Sequence, residues 1–315
     1  MLDQLSLEAI RAAQKRIHGK VVRTPMLVRE RPGQTLLLKP ESLQPIGAFK
    51  LRGAMNKMVQ LPADCPGVVA HSSGNHAQAV ARAARILGIR AVIVMPSDAP
   101  PIKRMRTEAD GAELVIVGPD SDERRDKARE IAREQGLVAV EPYDDPDIAA
   151  GQGTAALELI EDAGTLQRFY APVSGGGLMA GCATAVAALC PDAEIIAVEP
   201  ESKDALKRSL EAGERVRVPP PPTIADGLRV RVPGELTWPV LQARVHRVAL
   251  VRDAEIMNAV MWAYQELRIV LEPSGAAALA VAMREGKGRC GVILTGGNVD
   301  PALFASIVQK AAGPC

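Results

Sequence analysis

The sequence predicts an α/β protein of two lobes, each a largely parallel sheet flanked by helices. The chain has 315 residues, more than one hydrophobic core ordinarily serves, so two lobes are the natural division. Its residues are 47% apolar but only 3% aromatic, which leaves the core to Ala, Val, Leu and Ile and favours layers. Short apolar runs alternate with amphipathic stretches, and strands joined through helices pair in parallel.

Residues 6–18 set Leu7, Ile10, Ala13 and Ile17 on one helical face, with Ser6 as N-cap and Gly19 as the stop. Residues 21–27 form an extended link, because Pro25 biases Thr24 away from helix. A strand at 36–39 leads to the turn before Lys50, and Leu51, Ala54, Met55 and Met58 give a helix over 51–60. The apolar run 68–71 is a buried strand, and the polar turn 72–76 opens a helix over 77–87. Strands at 91–95, 113–117 and 137–141 alternate with helices at 103–110 and 122–135. Residues 42–143 are therefore expected to form a small domain, with 1–41 and 144–315 forming the large one. Pro142-Tyr143-Asp144-Asp145-Pro146 punctuates the return. A helix to Ile160, a strand at 169–173, a glycine loop at 174–177 and a small-residue helix at 178–189 follow. Next come a strand at 194–199 and a helix at 203–210, and four consecutive prolines force 216–223 into an extended loop. Helices at 253–267 and 274–284 and a strand at 291–294 precede Thr295-Gly296-Gly297-Asn298.

The net charge of +1, with both signs interspersed, leaves no footprint for nucleic acid or an anionic membrane. It suits a small neutral or zwitterionic partner. The longest weakly apolar run, 178–190, stops at Pro191, short of the about 20 residues a membrane span needs. The amino terminus has no apolar leader core, and a cytoplasmic protein is expected. Cys65, Cys182, Cys190, Cys290 and Cys315 are odd in number and lack C-x-x-C spacing, which fits reduced thiols and argues against zinc.

Lys50 follows Gly47 and Ala48, which permit close approach, and Phe49, which offers a flat apolar face; Gly53 and Ala54 keep the next helix slim. A lone lysine is ordinarily a solvated charge. In this apolar setting the charged form is disfavoured, and the amine can act as a nucleophile or form an imine with an aldehyde. Ser174-Gly175-Gly176-Gly177, between a strand and a helix, can turn successive N–H groups to one point and bind an anion. No triphosphate-binding G-x-x-x-x-G-K-[ST] run exists. Residues 151–156 match G-x-G-x-x-A but lack a proper preceding strand, so a dinucleotide is discounted and these glycines are taken as packing where a helix begins. Ser72-Ser73-Gly74-Asn75-His76 is a second cradle at a strand's carboxyl end, suited to a carboxylate or a pyridine hydroxyl.

These motifs, with Ala225-Asp226-Gly227, Glu272-Pro273-Ser274-Gly275 and Thr295 to Asp300, resemble the fold-type II pyridoxal-phosphate enzymes, tryptophan synthase beta-like in fold. Within them the chain is most similar to the serine/threonine dehydratase (ammonia-lyase) and serine racemase group. The resemblance implies that Lys50 holds pyridoxal 5′-phosphate as an internal imine and, once displaced by substrate, removes the α-proton. It also implies that Phe49 packs on the pyridine ring and Asn75 hydrogen-bonds its 3′-oxygen. Ser174, Gly175, Gly176, Gly177 and Leu178 would bind the phosphate, and Ser72, Ser73, Gly74, Asn75, His76 and Ala77 the carboxylate of an amino-acid substrate.

Thr295 matches the residue facing the pyridine nitrogen, where a neutral hydroxyl leaves a weaker electron sink and lets loss of a β-group compete with reprotonation. The implied reaction is β-elimination from L-threonine or L-serine to 2-oxobutanoate or pyruvate and ammonia, with the cofactor phosphate as the acid. Ser73 matches the racemases' opposite-face acid/base, which keeps a serine racemase as an alternative, beside a dehydratase of another 3-hydroxy amino acid such as threo-3-hydroxyaspartate. Tyr143, within 142–146, looks like the catabolic threonine dehydratases. Racemase-type members hold a divalent cation (Mg or Ca) through a glutamate, a carbonyl and an aspartate. Glu199 is present, but Ala205 stands at the aspartate's place, Asp204 is one place early and Lys203 falls on the carbonyl position. A homodimer or homotetramer is implied, and isoleucine feedback through a regulatory domain is not expected. His18, His71 and His246 are given no chemistry.

Overall fold

The computed structural model describes residues 4–312 except Ser73 and Pro100. Helix α1 (Leu7–Ile17) begins where Ser6 Oγ accepts from the Ala9 N–H at 3.2 Å, and leads to a hairpin of β1 (Leu27–Arg31) and β2 (Gln34–Pro40). There follow α2 (Lys50–Met58), β3 (Val68–His71), α3 (Asn75–Leu87), β4 (Ala91–Pro96), α4 (Pro101–Ala109), β5 (Glu113–Val117), α5 (Ser121–Gln135) and β6 (Val138–Ala139). The chain returns through α6 (Pro146–Ala163), β7 (Arg168–Pro172), α7 (Gly177–Leu189), β8 (Glu194–Pro200), α8 (Ala205–Ala212) and α9 (Trp238–Arg244). It closes with β9 (Arg247–Val251), α10 (Asp253–Trp262), α11 (Pro273–Glu285), β10 (Gly288–Leu294) and α12 (Pro301–Ala312).

Two sheets result. The larger has the order β1-β2-β10-β7-β8-β9, parallel apart from the β1–β2 pair; the smaller, β5-β4-β3-β6, is wholly parallel. Because β10 inserts between β2 and β7, residues from both ends of the chain meet at the centre of one sheet. Small side chains let helices lie close on it. Ala155, Ala156, Met179 and Ala183 pack in one apolar cluster, and Ala259, Ala277, Leu279 and Val292 in another.

Most elements fall where periodicity sets them, and the differences have physical reasons. The strand expected at 137–141 is only Val138–Ala139, and residues 263–267 form a π-helical turn at the end of α10. β1 escaped the pattern because it is an edge strand carrying Arg29, Glu30 and Arg31, the charges that blunt such edges. β9, α9 and α12 were likewise not expected.

Gly151 and Gly153 correct the reading of residues 151–156. They lie in the middle of α6, not where a helix begins. Pro146 does not break the segment; it is the first helical residue, where its missing N–H costs nothing, with Asp145 as N-cap to the N–H groups of Asp147 (2.8 Å) and Ile148 (3.1 Å). A Cβ on Gly151 would sit 2.6 Å from the Arg52 carbonyl oxygen, and one on Gly153 2.8 Å from that of Gly181. The two glycines are the contact faces of α6 on α2 and α7. Cys65, Cys182, Cys190 and Cys290 are free thiols; Cys315 lies outside the described residues. Among the described residues no helix is long and apolar enough to cross a membrane.

Candidate active site

Loops at the carboxyl ends of β3, β7 and β10 converge on the lysine turn. An antiparallel bridge between Ala48 and Gly296, with Phe49 N–H to Thr295 O (3.0 Å) and Gly297 N–H to Gly47 O (2.9 Å), sews that turn to the loop after β10. Gly47 must be glycine: its φ is +72°, and a Cβ would lie 2.7 Å from Asn298 Oδ1. Lys50 thereby becomes the first residue of α2. Part of its surface stays open, but its amine is enclosed by protein and donates to the Pro142 carbonyl oxygen at 2.5 Å, 5.2 Å from the Phe49 ring centre. Burial lowers the amine's pKa from 10.5 to about 8.

The glycine loop is walled from behind. Gly175 O is held there by Thr237 Oγ1 (2.7 Å) and Gly234 N–H (3.0 Å), and the Ser174 hydroxyl oxygen accepts from Val230 N–H (3.2 Å). A Cβ on Gly175 would enter the Tyr143 ring, one on Gly176 (φ +107°) would lie 2.7 Å from Thr237 Oγ1, and one on Gly177 2.7 Å from Tyr143 O. The N–H groups of Gly175 to Leu178, at the start of α7, have no protein acceptor among the described residues. Buried donors of that kind at a helix N-terminus fit a phosphate. Residues 142–146 serve as the hub: Pro142 takes Lys50, Tyr143 backs the glycines, and Asp144 accepts from the N–H groups of Glu235, Leu236 and Thr237 at 2.9–3.1 Å.

Asn75 opens α3 beneath this cleft. Its Nδ2 donates to Glu272 Oε1 (2.6 Å) and its Oδ1 accepts from Asn298 Nδ2 (2.8 Å), while Arg106 donates to Asn298 Oδ1 (2.8 Å). The buried Glu272 carboxyl is raised to about 7, first by burial and then by Asp226, against the opposing pull of Lys103 and the Asn75 hydrogen bond. Lys103 pairs with Asp226 at 2.7 Å and reaches within 3.3 Å of where a Cβ on Gly74 would be. Sequence alone assigns no role to Glu272, Asn298, Lys103 or Asp226. Glu272, Asp226 and Asn298 stand inside motifs that carry the resemblance, and Glu272 is also the residue before a proline at a helix start; nothing local marks Lys103.

Ser72 Oγ accepts from Gly74 N–H at 3.1 Å, and Ala77 is in the core. Ser73 lies outside the described residues. The His76 side chain turns away from the loop, its Nε2 2.8 Å from Val140 O. Burial, then the positive charge of Lys50, lower its pKa to about 3, so the ring is neutral. Thr295 is buried, with Oγ1 3.4 Å from Ser274 O.

A divalent cation does not fit at Glu199. Its carboxylate is buried and spent: Oε1 accepts from Lys203 Nζ and from Leu206 N–H (3.0 Å), and Oε2 from Lys207 N–H (3.0 Å). Asp204 is turned to Arg208 at 2.8 Å, and no acidic, histidine or cysteine cluster able to hold a metal exists among the described residues.

The family model described as pyridoxal-phosphate dependent enzyme matches residues 17–296. The L-threo-3-hydroxyaspartate ammonia-lyase of Saccharomyces cerevisiae is 38% identical over 314 residues, 96% of either chain. Among solved structures, the threonine deaminase of T.th. superposes with a TM-score of 0.89 at 43% identity, covering 94% of this chain and 99% of that one. Maize serine racemase superposes at 0.91 with 37% identity and 98% coverage of both.

Proposed function

Because the chain belongs to the family of pyridoxal-phosphate dependent enzymes and is of the ammonia-lyase and racemase type, we propose that it converts L-threonine to 2-oxobutanoate and ammonia, and L-serine to pyruvate and ammonia. Pyridoxal phosphate, when bound, supplies the electron sink that acidifies the substrate's α-carbon. The observation that carries the reading is Lys50, a buried amine lowered to about 8 and held beside Phe49 on the carbonyl of Pro142, whose neighbour Tyr143 backs the glycine loop. At that value its Nζ is free, in appreciable fraction near neutral pH, to take the α-proton. The N–H groups of Gly175 to Leu178 would hold the phosphate, and the loop at the start of α3 the substrate carboxylate. Thr295, tied through its carbonyl to Phe49 N–H, would set a neutral hydroxyl at the pyridine nitrogen. The α-proton goes to Lys50 and the β-hydroxyl leaves with a proton as water. That water is taken up again as the enamine's imine tautomer hydrolyses to keto acid and ammonia.

A second reading, deamination of L-threo-3-hydroxyaspartate, is supported by the 38%-identical yeast relative of that name and by Lys103, a cation beside Gly74 that could meet a second carboxylate. We also take the enzyme to be cytoplasmic and a homodimer or homotetramer, which sedimentation of the holoenzyme would check.

The test is keto-acid release from L-threonine, L-serine and L-threo-3-hydroxyaspartate, with and without chelator. Rapid 2-oxobutanoate from threonine, unchanged by chelator, is expected; release from hydroxyaspartate alone would replace the first reading by the second. Ser73→Ala is expected to remove any serine racemisation while leaving much of the elimination. Equal loss of both would give Ser73 a wider role.

A further inference from the structure

Lys203 is among the largest fully buried side chains in the molecule, and nothing in the reaction above uses it. It stands in the turn between β8 and α8. Its Nζ is locked on Glu199 Oε1 and lies 3.5 Å from the carbonyl oxygen of Val173 and 3.4 Å from that of Ser174. A wholly buried ammonium is costly unless paired and hydrogen-bonded, and among the described residues these three acceptors are what it has. Two of them belong to the approach to the glycine loop.

In a trans peptide the C=O and the following N–H point in opposite directions. Holding Ser174 O behind the loop therefore aims Gly175 N–H into the cradle, as the bonds of Thr237 and Gly234 to Gly175 O do for Gly176 N–H. We propose that Lys203 is a positioning residue for the cofactor phosphate: its ammonium, fixed on Glu199, orients the peptides that open the glycine loop and takes the place of a bound cation there. The inference rests on the cofactor reading alone and holds whichever amino acid is turned over.

The test follows loss of the cofactor's visible absorbance after dilution of holoenzyme, with no substrate present. The wild type should release cofactor at the same rate with chelator, with magnesium chloride and with neither. Lys203→Met, similar in bulk but uncharged, should release it at least tenfold faster. Lys203→Ala should also release faster and be partly restored by ammonium or magnesium ions, because truncation leaves one carboxylate and two carbonyls facing a vacated space. Lys203→Met should not be restored, its side chain filling that space. Cofactor loss from the wild type on chelation, or wild-type release from Lys203→Met, would overturn the proposal. Faster release from Lys203→Ala with no recovery in either ion would also overturn it, since lost packing alone would then account for the effect. If neither variant folds, wild-type release that changes with chelator or magnesium chloride would still overturn the proposal.

Discussion

Among the described residues Lys50 donates one hydrogen bond, to Pro142 O, and the lowering of its pKa has burial as its cause. Removing it therefore deletes chemistry without leaving a buried charge behind. Lys50→Ala should keep the wild-type circular dichroism and unfolding midpoint within a few degrees while losing elimination activity to background. Activity near the wild-type level in that variant would sink the assignment of the α-proton to this amine.

Two residues on, α2 carries a different lysine-and-arginine chemistry. Arg52 is fully buried, bonded to both oxygens of Glu41 (2.7 and 2.8 Å) and of Glu158 (2.8 Å each), and Glu158 also pairs with Lys39 at 2.8 Å. The two carboxylates stabilise the guanidinium charge against the burial that opposes it. This network ties α2, and with it Lys50, to β2 and α6. Arg52→Met leaves two buried carboxylates facing one ammonium and is expected to cost about 3–5 kcal/mol in denaturant unfolding; a loss below about 1 kcal/mol would show that water replaces the arginine. Where α6 crosses α7, Gly153→Val should cost about 1–3 kcal/mol or more, because the neighbour is the Gly181 backbone and cannot rotate away. A wild-type midpoint there would mean that the helices separate freely.

Across the whole molecule, α4 next to the smaller sheet reaches the loops of the larger one through Lys103–Asp226 and Arg106–Asn298, and Glu272 lies buried at that junction. Its carboxyl holds its proton to about 7 in the folded protein and to the ordinary 4.5 when unfolded. The favourable contribution is complete below about pH 4.5 and is lost as pH rises to about 7, above which the fold carries a buried carboxylate. Glu272→Gln should thus match the wild type in thermal unfolding at pH 4 and unfold several degrees higher at pH 8. Equal midpoints at pH 8 would mean that Lys103 and Asn75 already neutralise the charge.

The sequence by itself determined the pieces. The apolar runs of β3 and β5 lie at the residues periodicity assigned them, the glycine loop sits between strand and helix, and Lys50 stands at a helix start. These depend on chemistry within a few residues, which local pattern encodes. Tertiary structure alone decided which distant side chains meet. Asn75 and Glu272 are 197 positions apart, Arg52 gathers carboxylates from positions 41 and 158, and the glycines of α6 proved to be crossing points. Lys203 likewise shows its purpose only once β7 and β8 are paired and the turn after β8 lies behind the glycine loop. Such contacts follow from the order of strands, set by how β10 enters between β2 and β7, and no run of neighbouring residues carries that order.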